Sequence, residues 1–214
     1  MLRLVLFDMD GVIFEGKNFW LDFHRRMGTE RQAWQLWEGL AEREYGRLSR
    51  LTARKLWAGR PAAPFLEMVE ARSTVPGIDQ VFAFVHTNGV ASAIISSGPY
   101  HLAERAQRLF GIDAIRANRL AIDAQGHFTG EVEVQVDDNA KASCAHELMA
   151  HFGAERATTA VIGDAASDAG MAALATLAIA YDARDETLLD TCRHWLPAGR
   201  MAAAVDLLHA QLAA

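Results

Sequence analysis

Two aspartates near the start of this 214-residue sequence have the spacing of a catalytic acid pair. Asp8 and Asp10 lie one residue apart, directly after the apolar run 2–7 and just before Gly11. Two carboxylates at this spacing can hold a hard cation and present a nucleophile, and a glycine lets the chain turn beside them. An Asp-x-Asp pair is also common in ordinary loops, so its meaning depends on the other polar segments.

Two further segments supply groups that suit an anion. Ser96, Ser97 and Gly98 follow a second apolar run that ends at Ile95, and a hydroxyl followed by backbone N–H groups can hold an oxyanion. The same residues would also serve as an ordinary helix cap. Lys141 opens a predicted helix, where the helix dipole does not favour a cation. Either an anionic ligand or a simple surface position would explain this lysine.

A second acid pair completes the set. Asp164 and Asp168 lie four residues apart, after Gly163 and the apolar run 159–162, and their alternative role is helix capping. Acid pair, hydroxyl, lysine and acid pair all fall at predicted strand ends or helix starts. Together they are the components of a magnesium-assisted phosphoryl transfer.

Short apolar runs alternate with helical patterns along most of the chain. Such runs are typical of strands buried on both faces, and their alternation with helices predicts an α/β fold with a doubly wound parallel sheet. Ligands of such sheets bind beyond the carboxyl ends of the strands, which is where the four polar segments lie. The predicted strands are 2–7, 93–95, 114–115, 159–162 and 177–180, and the predicted helices are 79–86, 100–110, 142–152 and 168–174.

Three regions depart from this alternation. Residues 15–74 hold four of the five tryptophans, eleven basic and eight acidic side chains and no clear strand, which predicts an all-helical cap inserted after the first strand. The core domain is then 1–14 together with 75–214. Residues 119–136 predict a β-hairpin. Residues 201–214 predict an amphipathic helix that packs on the sheet through Val205, Leu207, Leu208 and Leu212.

With these motifs, the sequence resembles the haloacid dehalogenase (HAD) superfamily of phosphohydrolases, and within it the phosphoserine phosphatase-like branch. The resemblance covers 1–14 and about 75 to the C-terminus, and it implies a HAD-like Rossmannoid core with a small helical cap and a β-hairpin. The matching motifs are Asp8-x-Asp10-Gly11-Val12, Ser96, Lys141 and Gly163-Asp164-x-x-x-Asp168, with support from Ala117-Asn118-Arg119-Leu120 and Asn139-Ala140-Lys141.

The resemblance implies a role for each motif residue. Asp8 is the nucleophile that forms an aspartyl-phosphate, and Asp10 is the acid and then the base. Mg²⁺ is held by the carboxylates of Asp8 and Asp164 and by the backbone carbonyl of Asp10, and Asp168 orients a metal-bound water or Lys141. The phosphate-binding residues are Ser96, Ser97, Gly98 and Lys141.

The resemblance also implies a phosphatase acting on a small phosphorylated metabolite, with phosphoserine as one candidate. Lys17, however, stands where phosphoserine-specific members have an acid for the substrate ammonium. This lysine suggests a substrate that lacks the ammonium or carries extra negative charge. Two alternatives stay open: a phosphotransferase or phosphomutase using the same aspartyl-phosphate, and a non-catalytic module that binds a phosphorylated metabolite.

Composition excludes several classes of protein. The net charge of −6 argues against a nucleic-acid partner. The two cysteines exclude a disulfide scaffold and a cysteine-rich zinc site. The sequence has no apolar stretch near the length of about 18 residues that crosses a bilayer, so we expect a cytoplasmic protein without a membrane partner. The oligomeric state is not predicted.

Overall fold

A seven-stranded sheet organises the part of the chain that the structure, a computed structural model, describes, which is residues 1–40, 44–137 and 140–213. Three stretches lie outside the described residues. They are 41–43 of the predicted cap, which include Arg43; 138–139, which include Asn139 of the lysine motif; and residue 214, the last of the predicted C-terminal helix. The strands are β1 (Leu4–Phe7), β2 (Ala91–Pro99), β3 (Ala114–Ile122), β4 (Phe128–Glu133), β5 (Thr159–Gly163), β6 (Leu177–Tyr181) and β7 (His194–Leu196). Their order across the sheet is β4-β3-β2-β1-β5-β6-β7.

All neighbouring strands are parallel except β3 and β4, which form an antiparallel pair. The helices are α1 (Phe19–Met27), α2 (Glu30–Glu38), α3 (Tyr45–Thr52), α4 (Ala63–Ala71), α5 (Ile78–Thr87), α6 (Tyr100–Phe110), α7 (Ala140–His151), α8 (Ala169–Ala172), α9 (Glu186–Thr191) and α10 (Ala204–Ala213). A π-helical turn (Ala53–Trp57) follows α3. None of the helices within the described ranges is long and apolar enough to cross a membrane.

The central strand β1 shows why its sequence is uniformly apolar. Val5 and Phe7 belong to the core on one face of the sheet, and Leu4 and Leu6 belong to the core on the other. All four side chains have no exposed surface. A strand covered by helices on both faces has no polar side, so it lacks the alternation of a surface strand.

The register of the three central strands brings the polar segments together. Phe7 pairs with Ile94 of β2 and with Ile162 of β5, so these strands reach the same level at the same edge of the sheet. Asp8 follows β1 immediately, and Ser96 and Asp164 each come two residues after the partner of Phe7. Parallel pairing therefore collects residues from distant parts of the chain into one site.

The predicted α/β fold with a parallel sheet is confirmed, with differences in detail. The predicted strand 93–95 is longer, Ala91–Pro99, so Ser96–Gly98 form its last part and do not follow it. The predicted strand 114–115 and the first arm of the predicted hairpin are one strand, β3, which pairs with β2 through its first half and with β4 through its second half. The short edge strand β7 and the helix α9 were not predicted, because three and six residues are too few for a periodic pattern to emerge. The C-terminal helix α10 packs on the core as predicted, with Leu208 fully buried.

Asn118, a buried residue of β3, ties this strand to two neighbouring segments. Its Oδ1 accepts from the backbone N–H groups of Gln135 and Val136, both at 2.9 Å. Its Nδ2 donates to the carbonyl of Val136 at 2.9 Å and to that of Ser97 at 3.1 Å. One side chain thus joins the end of β2 to the segment that leads into α7 and Lys141.

We expect Asn118→Ala to lower the free energy of unfolding by about 3 kcal/mol, because it leaves buried backbone groups without partners. Urea denaturation measures this change. Asn88→Ala, which removes an exposed asparagine with one hydrogen bond to its own helix, is the control and should cost under about 1 kcal/mol. Equal losses in the two variants would contradict the assigned role of Asn118.

Candidate active site

Asp8 and Lys141 form a buried ion pair at the carboxyl end of the central strand. Lys141 Nζ donates to Asp8 Oδ1 at 2.7 Å and to Asp168 Oδ1 at 2.5 Å. The side chains of Asp8 and Lys141 are 7% and 6% exposed, and that of Asp168 is completely buried. Lys141 is the second residue of α7, in agreement with its predicted position at the start of a helix. Its ammonium group is buried and does not lie at the surface.

The loop after β5 holds Asp168 rigidly. Its Oδ2 accepts from the backbone N–H groups of Asp164 at 2.9 Å and Ala165 at 3.1 Å, while its Oδ1 accepts from Lys141. Because both oxygens already have donors, this carboxylate is suited to positioning Lys141. Gly163 allows the tight loop, since a Cβ atom there would lie 2.6 Å from the Asp168 Cβ.

Three buried carboxylates converge on one small volume. One oxygen each of Asp8, Asp164 and Asp168 lies within 4.8 Å of the others. Burial, together with the neighbouring Asp168 carboxylate, raises the pKa of Asp8 well above its ordinary value, and burial likewise raises the pKa of Asp164. Although burial lowers the pKa of Lys141, the attraction of Asp8 and Asp168 outweighs it and raises that pKa, so the lysine stays charged.

This cluster fits a hard divalent cation, since clustered carboxylate oxygens are the donors that Mg²⁺ prefers. The ligand set that the sequence predicts is Asp8, Asp10 and Asp164. The carboxylate cluster contains Asp8 and Asp164 but has Asp168 in place of Asp10. This difference is compatible with the prediction, which assigns Asp10 to the metal through its backbone carbonyl only.

The carboxylate of Asp10 points instead toward the start of α1. Its Oδ2 accepts from the backbone N–H of Phe19 at 3.0 Å. Its Oδ1 is buried and has no hydrogen-bond partner among the described residues. Burial raises the pKa of Asp10 to about 6, against the opposing effect of the Phe19 hydrogen bond. A carboxyl group with this pKa is populated in both protonation states near neutral pH, as an acid–base group requires.

The last part of β2, where its pairing with β3 is irregular between Ile95 and Pro99, contains the predicted phosphate-binding residues Ser96, Ser97 and Gly98. The Ser96 side chain is buried, and its Oγ accepts from the Gly98 N–H at 3.0 Å. Gly98 lies close to Met9, because a Cβ atom at this glycine would be 2.6 Å from Met9 Cε. This part of β2 is therefore packed against the Asp8–Asp10 turn.

Sequence reasoning missed the groups that hold the carbonyl oxygen of Ser97. This atom accepts from Trp20 Nε1 at 2.9 Å, from the Tyr45 hydroxyl at 3.2 Å and from Asn118 Nδ2 at 3.1 Å. Trp20 and Tyr45 belong to α1 and α3, far from Ser97 in sequence. Since they contact a backbone atom, no side-chain motif at position 97 could have indicated them.

Lys17 makes a contact that its sequence position did not indicate. Its Nζ donates to Asp164 Oδ2 at 2.8 Å and to the carbonyl of Asp182 at 3.2 Å. Although burial lowers the pKa of Lys17, the Asp164 carboxylate raises it above its ordinary value. Gly11 makes room for this pair: it has a φ of +84°, and a Cβ atom there would lie 2.3 Å from Asp164 Oδ2. The chain thus places its own cation on a predicted metal ligand.

Comparisons with known proteins show what this chain is similar to. The family model described as haloacid dehalogenase-like hydrolase matches residues 5–173. The phosphoserine phosphatase SerB2 of Mycobacterium tuberculosis is 26% identical over 184 residues, which cover 85% of this chain and 44% of that protein. The phosphoserine phosphatase of Methanocaldococcus jannaschii is 24% identical over 184 residues, which cover 85% of this chain and 86% of that protein.

The chain spans about half the length of several of the curated relatives that it matches. Among solved structures, one described as a phospho-aspartyl intermediate analogue of phosphoserine phosphatase superposes with a TM-score of 0.75. The superposition covers 91% of this chain and 93% of the other, at 23% sequence identity. At this level of identity the likeness establishes the fold alone.

We expect Asp10→Asn to stabilise the metal-free protein above pH 6. Because the Asp10 pKa rises from 3.8 to about 6 on folding, the ionised carboxylate destabilises the native state by about 3 kcal/mol once the pH exceeds 6. The gain should fall to about half near pH 5 and disappear below pH 4, where the carboxyl is protonated in both states. Urea denaturation in chelator at pH 5 and pH 8 measures it, with the exposed Asp190→Asn as control. A gain that does not depend on pH would refute this account.

We expect Lys17→Met to tighten Mg²⁺ binding by roughly three- to tenfold, because it removes a half-exposed cation that competes for Asp164. Isothermal titration with Mg²⁺ and no substrate measures the affinity. Lys55→Met removes an exposed lysine from the π-helical turn and should leave the affinity unchanged. Weaker Mg²⁺ binding by the Lys17 variant would contradict competition between this lysine and the metal.

Proposed function

Because the chain belongs to the haloacid dehalogenase-like hydrolase family, we propose that it is a Mg²⁺-dependent phosphomonoesterase that acts on a small phosphorylated metabolite through an aspartyl-phosphate. The observation that carries this proposal is the buried contact of Lys141 with both Asp8 and Asp168. This buried position argues against the alternative that Lys141 is an ordinary surface lysine. It is the position expected of a lysine that neutralises both a carboxylate nucleophile and a bound phosphate.

In the first step, the Asp8 carboxylate attacks phosphorus in line with the ester oxygen. The new bond joins Asp8 to phosphorus, and the bond between phosphorus and the alcohol oxygen breaks. Lys141 holds Asp8 Oδ1, which leaves Oδ2 for the attack. In the second step, water attacks phosphorus, and phosphate leaves while the Asp8 carboxylate is regenerated.

Asp10 is the group that moves the proton. In its protonated form it donates a proton to the leaving alcohol oxygen, and in its ionised form it accepts one from the attacking water. Its pKa of about 6 populates both forms, and its partnerless Oδ1 has no competing donor among the described residues. The Phe19 N–H holds the other oxygen and so fixes the orientation of the carboxyl group.

The carboxylates of Asp8 and Asp164 and the backbone carbonyl of Asp10 would hold Mg²⁺. When bound, the cation supplies the positive charge that lets a phosphate dianion approach the carboxylates. Asp168 keeps Lys141 in place, since both of its oxygens are already occupied. Ser96 and the backbone N–H groups near Ser97 and Gly98 would hold the phosphoryl oxygens, for which the Gly98 N–H would exchange its bond to Ser96 Oγ for one to the phosphate.

We further propose that residues 15–74, which include α1–α4, act as a cap over this site. Trp20 and Tyr45 of this segment donate to the Ser97 carbonyl, so the segment contacts the predicted phosphate-binding residues directly. The relatives named phosphoserine phosphatases make phosphoserine the reference substrate. Transfer of the phosphoryl group to a second alcohol is the alternative outcome of the same aspartyl-phosphate.

Phosphate release from a panel of phosphomonoesters tests the proposal. The panel contains phosphoserine, sugar phosphates, nucleoside monophosphates and an aryl phosphate, each with Mg²⁺ and with chelator. We expect Mg²⁺-dependent release that falls at least 10³-fold in Asp8→Asn, because the amide is not a nucleophile. Asp206→Asn, an exposed substitution on α10, should retain wild-type release.

Two further readouts separate the alternatives. Phosphate recovered on an added alcohol instead of in solution would indicate a transferase. A ³²P label that survives an acid quench, is released by hydroxylamine, forms on the wild type and is lost in Asp8→Asn would identify the aspartyl-phosphate. Failure of every compound to release or transfer phosphate would overturn the proposed function.

A further inference from the structure

A cavity of about 310 Å³ lies beside the site, between α1–α3, the π-helical turn and the β3–β4 hairpin. This volume is at the lower end of that of sites for drug-sized ligands, and it is lined mainly by apolar and aromatic groups. Its aromatic lining residues are Trp20, Trp34, Trp37, Tyr45 and Trp57. Four of the five tryptophans of the chain therefore surround one cavity.

The described lining offers no free cation. Among the described residues that line the cavity, Glu30 is the one carboxylate and His24 the one imidazole, and none is lysine or arginine. Glu30 is paired with Arg25, with 3.3 Å between Arg25 Nε and Glu30 Oε1. Burial lowers the pKa of His24 to about 4, so this ring is neutral at physiological pH. The carboxylate of an amino-acid substrate would lose water here without gaining a partner.

Other cations of the described cap segment have different surroundings. Arg50 and Arg54 of the predicted cap line a separate open groove together with Arg119. Lys17 is engaged by Asp164, at 2.8 Å from its Oδ2. The described cavity wall therefore has no unpaired charged side chain that could bind the carboxylate or the ammonium group of phosphoserine.

The cavity wall is continuous with the proposed phosphate site. Trp20, Tyr45 and Asn118 all line the cavity, and all donate to the carbonyl oxygen of Ser97. Asn18, another lining residue, caps α1, whose first residue donates its N–H to Asp10. A phosphoryl group held by residues 96–98 would thus lie beside this cavity, and its leaving group would fall within reach of the cavity.

Two lining residues carry buried polar atoms without partners. Trp57 Nε1 and Thr52 Oγ1 have no hydrogen-bond partner among the described residues, and both residues are 3% exposed. Such orphaned groups are rare in native proteins. An oxygen atom on the bound molecule would give either of them a partner.

We propose that this cavity binds the leaving group, and that the preferred substrate is the phosphomonoester of a bulky, uncharged and largely apolar alcohol. This inference rests on the proposed function. It differs from the reference substrate, phosphoserine, in that the alcohol carries an apolar group about the size of an aromatic ring instead of an amino acid. The aromatic walls supply contact area, while the absence of a free charged group in the described wall disfavours zwitterions.

The test compares alkyl phosphates whose alcohols differ in bulk but are all primary alcohols, so that leaving-group reactivity does not decide the result. The compounds are ethyl phosphate, 2-(1-naphthyl)ethyl phosphate and phosphoserine. We expect kcat/KM for the naphthyl compound to exceed that of the other two by at least tenfold. A preference for phosphoserine, or equal values for all three, would overturn the inference while leaving phosphomonoester hydrolysis established.

Two cavity variants and one matched control locate the effect. Trp34→Ala removes a wall residue that is 54% exposed, so the fold should tolerate it, and Ala33→Phe fills the cavity from α2. Both should lower the ratio of kcat/KM for the naphthyl compound to that for ethyl phosphate at least fivefold. Trp195→Ala removes a tryptophan that is 53% exposed on β7, away from the cavity, and should keep the wild-type ratio. An unchanged ratio in both cavity variants would count against the assignment.

Isothermal titration with 2-(1-naphthyl)ethanol separates the two proposals. Binding that weakens in Trp34→Ala and not in Trp195→Ala supports the cavity assignment even if no compound is hydrolysed, in which case only the proposed function fails. Absence of binding, together with absence of a bulky-substrate preference, would refute the assignment of the cavity.

Discussion

The buried bridge from Lys141 to Asp8 and Asp168 is the interaction on which the rest of the site depends. Three carboxylates whose oxygens lie within 4.8 Å repel one another by about 3 kcal/mol per pair at an effective dielectric near 20. A single ammonium placed between two of them offsets much of that repulsion. Without it, the carboxyl ends of β1 and β5 could not meet with their acids ionised.

The surrounding elements keep this bridge in place. Parallel pairing of β1 with β5 sets the distance between Asp8 and the loop of Asp168, and two backbone N–H groups anchor Asp168. Lys141 comes from a different direction, at the start of α7. The segment before α7 is fixed by the hydrogen bonds of Asn118. Sheet register, a loop and one buried amide thus share the task of positioning a single cation.

The sequence predicted the sheet and the site to different extents. Short apolar runs indicate buried strands because a strand covered on both faces has no polar side, so β1, β5 and β6 could be recognised. The motif acids and Lys141 could be placed at strand ends and helix starts because local sequence determines those positions. Whether a lysine is paired depends instead on residues far away in sequence, and the contact of Lys17 with Asp164 spans 147 positions. For the same reason, the cavity formed by tryptophans from several helices had no local signature.

The three donors on the Ser97 carbonyl have an evolutionary consequence. A backbone oxygen cannot be removed by mutation, so natural variation in this contact has to come from Trp20, Tyr45 and Asn118. These same side chains also line the aromatic cavity. If the cavity binds the leaving group as proposed, a change in these side chains that suits a new leaving group would also alter the contacts of residues 96–98. Under that proposal, selectivity and turnover would change together, because the same three side chains serve both.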